Sequence, residues 1–395
     1  MVNAESESVK KKILILASWY PSEASPVAGI FVHDQAMALA RDYQVAVIAP
    51  RIAGWRELLN KKIDAASLTE GRTELPVYRE RVRSLVPRHP ELAYPRWQGA
   101  AQRGFAKLLR EWGMPDLIHA HVVLPAGWSA VALGKEHSRP VVLTEHSSPF
   151  AMHLRTRPQQ RWVRKTLEQV HRVIAVSPAL ANQIQAFHQG ASMNVIGNLI
   201  KTEFFVPAPN QSARHGESKT RFLSIALLTK QKGLIYLLQA AKLLLERNIM
   251  SFELIIGGDG PERATLERLA LSLRISGRCR FLGLLNPNQV RAWMQQGDVF
   301  VMPSLHESFG IALAEAMACG KPVIATRCGG PEFVVTPDTG VLVNVADPSA
   351  LAAAMEDFIT ARKKYHPTVV RKSVVERFGE ETFLRQITAI YEQVW

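Results

Sequence analysis

Two glutamates, Glu307 and Glu315, stand with seven residues between them in the segment PSLHESFGIALAEAMACGKPVIATRCGGPEF, with Gly310 where a helical pattern begins. A helix start carries N–H groups without intrahelical partners and about half a positive charge. The backbone over Ser308, Phe309, Gly310 and Ile311 is therefore suited to hold a diphosphate or sugar hydroxyls. Gly310 lets a ligand approach the backbone closely. Glu315, more than one turn inside the helix, is able to accept two hydrogen bonds from a ribose diol, while Glu307 lies in the loop before it. Taken in isolation, such a pair reads better as a cap and a solvated face residue.

Other residue types gather in the same kind of place, just after apolar runs. LLTKQKGLIYLLQAAKLL offers Lys230, Lys232 and Gly233, and IIGGDGPE offers Gly258 in a tight loop. Leu285 closes FLGLL, and WYPSEASPVAGIFVHDQAMALA carries Gly29 and His33, with Asp34 beside it. In LIHAHVVLPAG, His119 and His121 alternate, so on a strand they point the same way. A zinc pair there lacks a third and fourth ligand, and packing is the better reading. In PVVLTEHSSPF, Glu145 and His146 end a buried strand and are expected to face a cleft. No Asp-x-Asp sequence occurs, so the sequence implies no metal held by paired carboxylates. Cys279, Cys319 and Cys328 form neither an even set nor a CxxC pair and are assigned to packing.

The elements that must position these residues follow from hydrophobic patterning. KILILA, YQVAVIAP, LIHAH, PVVLTEH and RVIAVS alternate with amphipathic stretches, which implies a parallel sheet covered by helices on both faces. Residues 207–220 lapse into polar, turn-forming PAPNQSARHGESKT, read as a linker. The alternation then restarts with RFLSIALL, FELIIGG, RCRFLGLL, DVFVMPS and KPVIAT. The expectation is α/β, with two doubly wound Rossmann-like domains, 1–206 and 221–375, which the family resemblance given below makes the acceptor side and the donor-nucleotide side. In the last stretch, 376–395, Phe383, Leu384, Ile387, Ile390, Tyr391 and Val394 have helical spacing, implying a helix that returns to the first domain. A chain of 395 residues with 47% hydrophobic content supports two cores. Ligands of such sheets bind beyond the carboxyl ends of the strands, so a cleft between the domains is the expected site.

With SFG after Glu307, AMACGKPVIAT after Glu315 and a GG-P-E turn beyond, the segment closely resembles the signature of glycosyltransferase family 4. The resemblance spans nearly the whole chain and is strongest from 220 to 345. It implies the GT-B fold and retaining transfer of a sugar from a nucleotide-diphosphate donor to a hydroxyl acceptor, with no cofactor beyond that co-substrate. In the family the two glutamates contact the donor sugar and the ribose respectively, the lysine matching Lys232 neutralises the leaving diphosphate, and the histidine matching His146 touches the donor sugar. Leu285 falls where backbone reads the base, and Gly29 where the acceptor-side loop nears the phosphate. The chain departs from the family at Leu227, where an arginine is usual; Lys230 is the nearest substitute for that charge.

Forty-eight Lys and Arg against 35 Asp and Glu leave a formal charge of +13, which favours anionic partners. From Arg79 to Arg110, eight basic residues, Arg81, Arg83 and Arg88 among them, face only Glu80 and Glu91 and accompany Trp97 and Phe105. A second group, Arg155, Arg157, Arg161, Arg164 and Lys165, flanks Trp162. Arginine with interfacial tryptophan suits an anionic membrane surface or a lipid-linked acceptor, and a solvated basic face is the plainer alternative. Nucleic acid is disfavoured because no recognised fold for it accompanies the charge. The opening MVNAESESVK does not read as a signal peptide, and no apolar run is long enough to span a bilayer, so a cytoplasmic protein, peripheral at most to the inner membrane face, is expected. Two rival readings stand: a nucleotide-sugar 2-epimerase of the same fold, and a non-catalytic sugar-nucleotide-binding protein.

Overall fold

The computed structural model describes residues 10–22, 25–53, 75–83, 89–209, 219–360 and 364–395. Arg88 and positions 210–218 of the expected linker lie outside the described residues. The strands are β1 (Lys12–Ala17), β2 (Gln44–Ile48), β3 (Arg51–Ala53), β4 (Val77–Tyr78), β5 (Arg81–Arg83), β6 (Leu117–His121), β7 (Val141–Glu145), β8 (Arg172–Ala175), β9 (Met193–Val195), β10 (Thr220–Ile225), β11 (Phe252–Gly257), β12 (Cys279–Gly283), β13 (Val299–Met302), β14 (Val323–Thr326) and β15 (Gly340–Val343). They form one sheet in the order β4-β2-β1-β6-β7-β8-β9 and another in the order β12-β11-β10-β13-β14-β15, with β3 and β5 pairing separately. Every strand pairing is parallel. This explains the near-continuous apolar runs: with helices on both faces, both sides of β6 and β7 are buried at every residue.

The strand order reverses direction between β1 and β6 in the first sheet and between β10 and β13 in the second. Crevices beyond the carboxyl ends of the strands at such points are where open α/β sheets take ligands. The loops after β1, β10 and β13 carry Gly29, Lys232 and Glu307, and β6 itself ends on His121.

The chain divides into two compact units: Met1–Val176, Ala181–Ile196 and Leu384–Trp395 make unit 1, and Ser177–Leu180 with Gly197–Phe383 make unit 2. The change of unit after Ile196 comes earlier than the polar stretch from 207 that the sequence offered as a boundary. The reason is packing. A Cβ on Gly197 would lie 2.6 Å from the Phe378 ring, and Ile200 N–H donates to the Phe378 carbonyl at 2.9 Å. Arg371 donates to the carbonyls of Thr202 and Phe205 at 2.9 and 2.8 Å.

The last helix, Glu380–Glu392, buries Leu384, Ile387, Ile390 and Tyr391. In unit 1 the Tyr43 hydroxyl donates to Thr388 at 3.0 Å, and the Tyr391 hydroxyl meets His119 Nδ1 at 2.7 Å.

The structure corrects the expectation of interfacial aromatic residues. Helix Tyr94–Glu111 turns Trp97, Ala101, Phe105 and Leu108 inward at three- to four-residue spacing, and Trp97 and Phe105 are each 1% exposed. The Trp97 indole N–H donates to the Pro50 carbonyl at 2.7 Å. Trp162 stacks on Trp128, with ring centroids 4.8 Å apart. The basic residues are also less uniformly solvated than their count suggests. Arg79 donates to the Pro21 carbonyl at 2.7 Å, and Arg103 pairs with Glu80 at 2.6 Å.

Gly258 illustrates how closely the loops pass in unit 2. It has φ 115°, and a Cβ there would stand 1.9 Å from the Ala226 carbonyl oxygen. Gly258→Ala should lower the denaturation free energy by about 1–3 kcal/mol, the usual cost of a forced backbone conformation. Urea denaturation followed by fluorescence checks this, and an unchanged midpoint would show that the loop shifts freely.

Candidate active site

In unit 2 the loop after β10 forms a short turn, Lys230–Lys232, ending at Gly233 with φ 62°. A Cβ on Gly233 would sit 2.1 Å from the Pro303 carbonyl, so only glycine lets this turn lie against the end of β13. Two bonds staple the loops together: Leu305 N–H donates to the Gln231 carbonyl at 2.8 Å, and the Gln231 side chain donates to the His306 carbonyl at 3.1 Å. The outcome is a direct ion pair between Lys232 Nζ and the Glu307 carboxylate, which also accepts from Ser304 Oγ at 3.1 Å. Ser304 is a site neighbour that sequence reading missed, since a lone serine carries no signal.

The loop from Glu307 to Gly310 is held from behind. Gly330 N–H donates to the Glu307 carbonyl at 2.8 Å, and a Cβ on Gly330 would fall 2.3 Å from Phe309 N, which accounts for the GG-P-E turn. The Phe309 ring is 1% exposed and meets Phe378 edge to face at 5.0 Å. It anchors the loop, so any ligand contact from Phe309 must come from its backbone.

Gly310, at φ 97°, opens helix Ile311–Ala318 and supplies no side-chain cap. Leu313, Ala314, Ala316, Met317 and Ala318 are buried, whereas Ile311, Ala312 and Glu315 are half-buried. Ile311 and Glu315, one turn apart, thus share the helix's accessible face.

The neighbouring loops are cross-bonded. Leu228 N–H donates to the Asp259 carbonyl at 2.9 Å, Glu262 N–H to the Leu228 carbonyl at 2.9 Å, and Gly258 N–H to the Gly283 carbonyl at 2.8 Å. Leu285 is half-buried over Gly257, where a Cβ would lie 2.7 Å from its Cδ1. Leu227 is 59% exposed, and Lys230 is exposed near it in sequence. Arg263, which the sequence reading passed over, stands against Gly283 and pairs with Glu267 at 3.0 Å and Asp259 at 3.5 Å.

In unit 1, Gly29 begins helix Ile30–Leu39 with φ 68°, and a Cβ there would lie 2.2 Å from the Trp19 carbonyl. Its immediate role is to let the loop after β1 fold onto itself. His33 Nδ1 meets the Tyr20 hydroxyl at 2.9 Å. Glu145 does not face outward as expected. It is fully buried and accepts from the N–H groups of Val123, His146 and Ser147 at 2.7, 2.8 and 2.8 Å, so three donors draw the carboxylate inward. His146 is 7% exposed and packs between Phe31, at a ring-centroid distance of 4.6 Å, and His121, at 5.3 Å. His119 and His121 are buried in the core, and the described residues contain no cluster of metal-ligating side chains.

Residues 208–369 match the family model described as "Glycosyl transferases group 1", and residues 28–204 match that of "Glycosyltransferase Family 4". The chain belongs to the family 4 glycosyltransferases, with the GT-B fold. One relative is the N-acetyl-alpha-D-glucosaminyl L-malate synthase of Bacillus anthracis, 28% identical over 321 residues that cover 78% of this chain and 82% of that enzyme. The sucrose-phosphate synthase of Thermosynechococcus elongatus superposes with a TM-score of 0.80 at 22% identity, covering 97% of this glycosyltransferase and 99% of that chain. Anabaena HepE in complex with UDP-glucose superposes with a TM-score of 0.71 at 20% identity, covering 97% and 99%. At these identities the two solved structures speak for the fold.

Burial in unit 1 has a measurable consequence for the glycosyltransferase. Desolvation pushes His119 down to about 3, holds His121 well below its ordinary range and lowers His153. The unfolded chain takes up these protons near pH 6.5, whereas the folded chain resists them. The stability they contribute is therefore complete above about pH 6.5 and is lost as pH falls toward their folded values, by at most about 1.4 kcal/mol per pH unit for each ring. Denaturation midpoints measured between about pH 7.5 and 5 should fall accordingly. Replacing His119 with Gln should flatten the slope, and an unaltered slope would mean that His119 is hydrated.

Proposed function

We propose that this enzyme transfers a sugar from a nucleoside-diphosphate donor to an acceptor hydroxyl with retention of anomeric configuration. The observation that carries the reading is the Lys232–Glu307 pair, set in the loops before a helix start whose cap residue is glycine. An incoming diphosphate would take over Lys232 and the amides around Gly310, which release Glu307 for the sugar, and Glu315 would accept hydrogen bonds from the ribose diol. Lys230 and the loops at Gly258 and Leu285 complete the donor side. In unit 1 the reading assigns His146 to the donor sugar, and Gly29 and His33 to the acceptor side.

The bond between the anomeric carbon and the phosphate oxygen breaks with its electron pair passing to that oxygen. The acceptor oxygen bonds to the anomeric carbon on the same face, and its proton passes to the departing phosphate. Positive charge already in place at the phosphate lowers this barrier because it needs no reorganisation. In this scheme Lys232 and the helix start supply that charge, and no metal or cofactor is required. That HepE was solved with UDP-glucose supports a uridine nucleotide sugar as the first donor to try.

The acceptor is proposed to be a sugar or lipid-linked intermediate of polysaccharide, lipopolysaccharide or glycolipid assembly. Helices Tyr94–Glu111 and Arg157–Gln169 of unit 1 expose Arg96, Lys107, Arg110, Arg157, Arg161 and Lys165, and the two meet where the Tyr94 and Trp162 rings lie 6.1 Å apart. Such a face suits an anionic leaflet, at on the order of 1 kcal/mol per basic residue. No helix among the described residues is long and apolar enough to cross a membrane.

Glu315→Ala should weaken binding of the free nucleoside diphosphate by about 1.5–3 kcal/mol, roughly 10- to 150-fold, and calorimetry showing wild-type affinity would remove Glu315 from the site. Lys232→Ala should depress turnover at saturating donor, read as nucleotide release with product mass. A screen of nucleotide sugars with and without acceptors separates transfer from epimerisation and from binding alone. Wild type should sediment with anionic but not neutral liposomes at low salt, and an Arg157, Arg161, Lys165 triple-alanine variant should not; indifference of wild type to anionic lipid would leave the face merely solvated.

A further inference from the structure

A cavity of about 430 Å³ opens on unit 2 at the amino ends of β10, β11 and β12, and four cations line it. Lys219 leads into β10, Arg274 follows helix Arg263–Ser272, Arg278 closes the turn Ser276–Arg278, and Arg280 lies in β12. Strand register brings them together, with Thr220 beside Phe252 and Leu254 beside Cys279. Glu253 is the one carboxylate among the described lining residues, and Arg221, on the neighbouring strand, already pairs with it. The Lys219 and Arg274 side chains make no ion pair or hydrogen bond among the described residues, and Arg280 lies over the Trp293 ring at 5.1 Å. Arg278 donates from Nη1 to the Met250 carbonyl and, at 3.2 Å, to the Phe252 carbonyl, which fixes its guanidinium in the wall and leaves Nε and Nη2 as further donors.

We propose that this cavity is a second ligand site of the enzyme, one that takes a small soluble phosphate ester. Like charges gathered around a concavity repel one another and focus a positive potential into it, and a doubly charged phosphate relieves both. A helix C-terminus attracts a cation, which accounts for Arg274 alone and not for the other three. Arg274 itself sits at φ 58° in a helix-ending turn, where Ile275 N–H donates to the Ala270 carbonyl and Arg274 N–H to the Leu271 carbonyl, each at 3.0 Å. Glycine is the usual residue there, so the arginine side chain is held at a cost in backbone conformation. Leu245, Met250 and Phe252 give the wall an apolar side for the organic body of the ester. The volume falls within the roughly 300–1,000 Å³ of small-molecule sites, whereas a lipid surface is met by a convex face. This place is separate from the donor loops, because the strands run parallel and Gly258 and Leu285 follow their other ends, roughly 17 Å away along β11.

The test uses the full-length protein with its methionine methyl groups labelled with 13C. Met250 lines the cavity, whereas the Met302 methyl packs against Gly310, so the two signals, identified through Met250→Leu and Met302→Leu, report on different places. Glucose 6-phosphate is the probe, with glucose and phosphatidylglycerol vesicles as controls. Millimolar glucose 6-phosphate should move the Met250 signal saturably, and neither control should. Arg274→Gly, which suits the left-handed backbone and should unfold no earlier than wild type, and Arg280→Gln should each raise the Kd roughly tenfold. An unmoved Met250 signal, or a wild-type Kd in both variants, overturns the proposal. A response to vesicles alone also overturns it, since the cations would then meet a lipid surface. So does a Met250 shift that Lys232→Ala abolishes, because the ester would then be held at the donor site.

Discussion

Unit 2 of this glycosyltransferase depends on a single close approach of backbone to backbone. Gly233 lies so near the Pro303 carbonyl that no side chain fits, and this brings the turn after β10 against the end of β13. These strands flank the point where strand order reverses, so their loops are the ones a doubly wound sheet can bring together over a crevice. With the loops stapled through Gln231, Lys232 and Glu307 meet as an ion pair although 75 residues separate them. Any larger residue at 233 would push the turn away and separate the charges.

That pairing bears on how an anion would be received. Lys232 and Glu307 are only partly exposed, so each loses some hydration, and their attraction offsets the loss. In the proposed function an incoming diphosphate would compete with Glu307 for the ammonium group. In the proposed reaction the same exchange turns the carboxylate toward the sugar as the lysine takes the phosphate, so binding and arming of the site are one event. Phe309 makes the exchange local: its buried ring, packed against Phe378, keeps the loop backbone in place while the side chains change partners.

Unit 1 solves a different problem, that of placing polar rings in a buried core. Glu145 accepts three backbone N–H groups and so holds the turn that carries His146. Tyr391, from the final helix, satisfies His119 and thereby ties the chain's end to the middle of the sheet. Few of these groups could be replaced singly, because each satisfies a neighbour that is itself buried.

By itself the sequence determined the two parallel sheets, the helices between them and the family, because apolar runs flanked by helical patterns and a long local motif are written in consecutive residues. It also placed Glu307 before a helix and Glu315 inside it, since both belong to one stretch. It could not decide which polar residues turn inward. Glu145 and Trp97 read as accessible and are buried, the first because three N–H donors converge on it and the second because its indole finds the Pro50 carbonyl. Nor could it reveal the bond between His121 and His146, or that Ser304 and Lys232 share one carboxylate. Those facts belong to tertiary structure, because each depends on how strands distant in the chain lie beside one another, and a hydrogen bond is decided by tenths of an ångström that no pattern of residue types records.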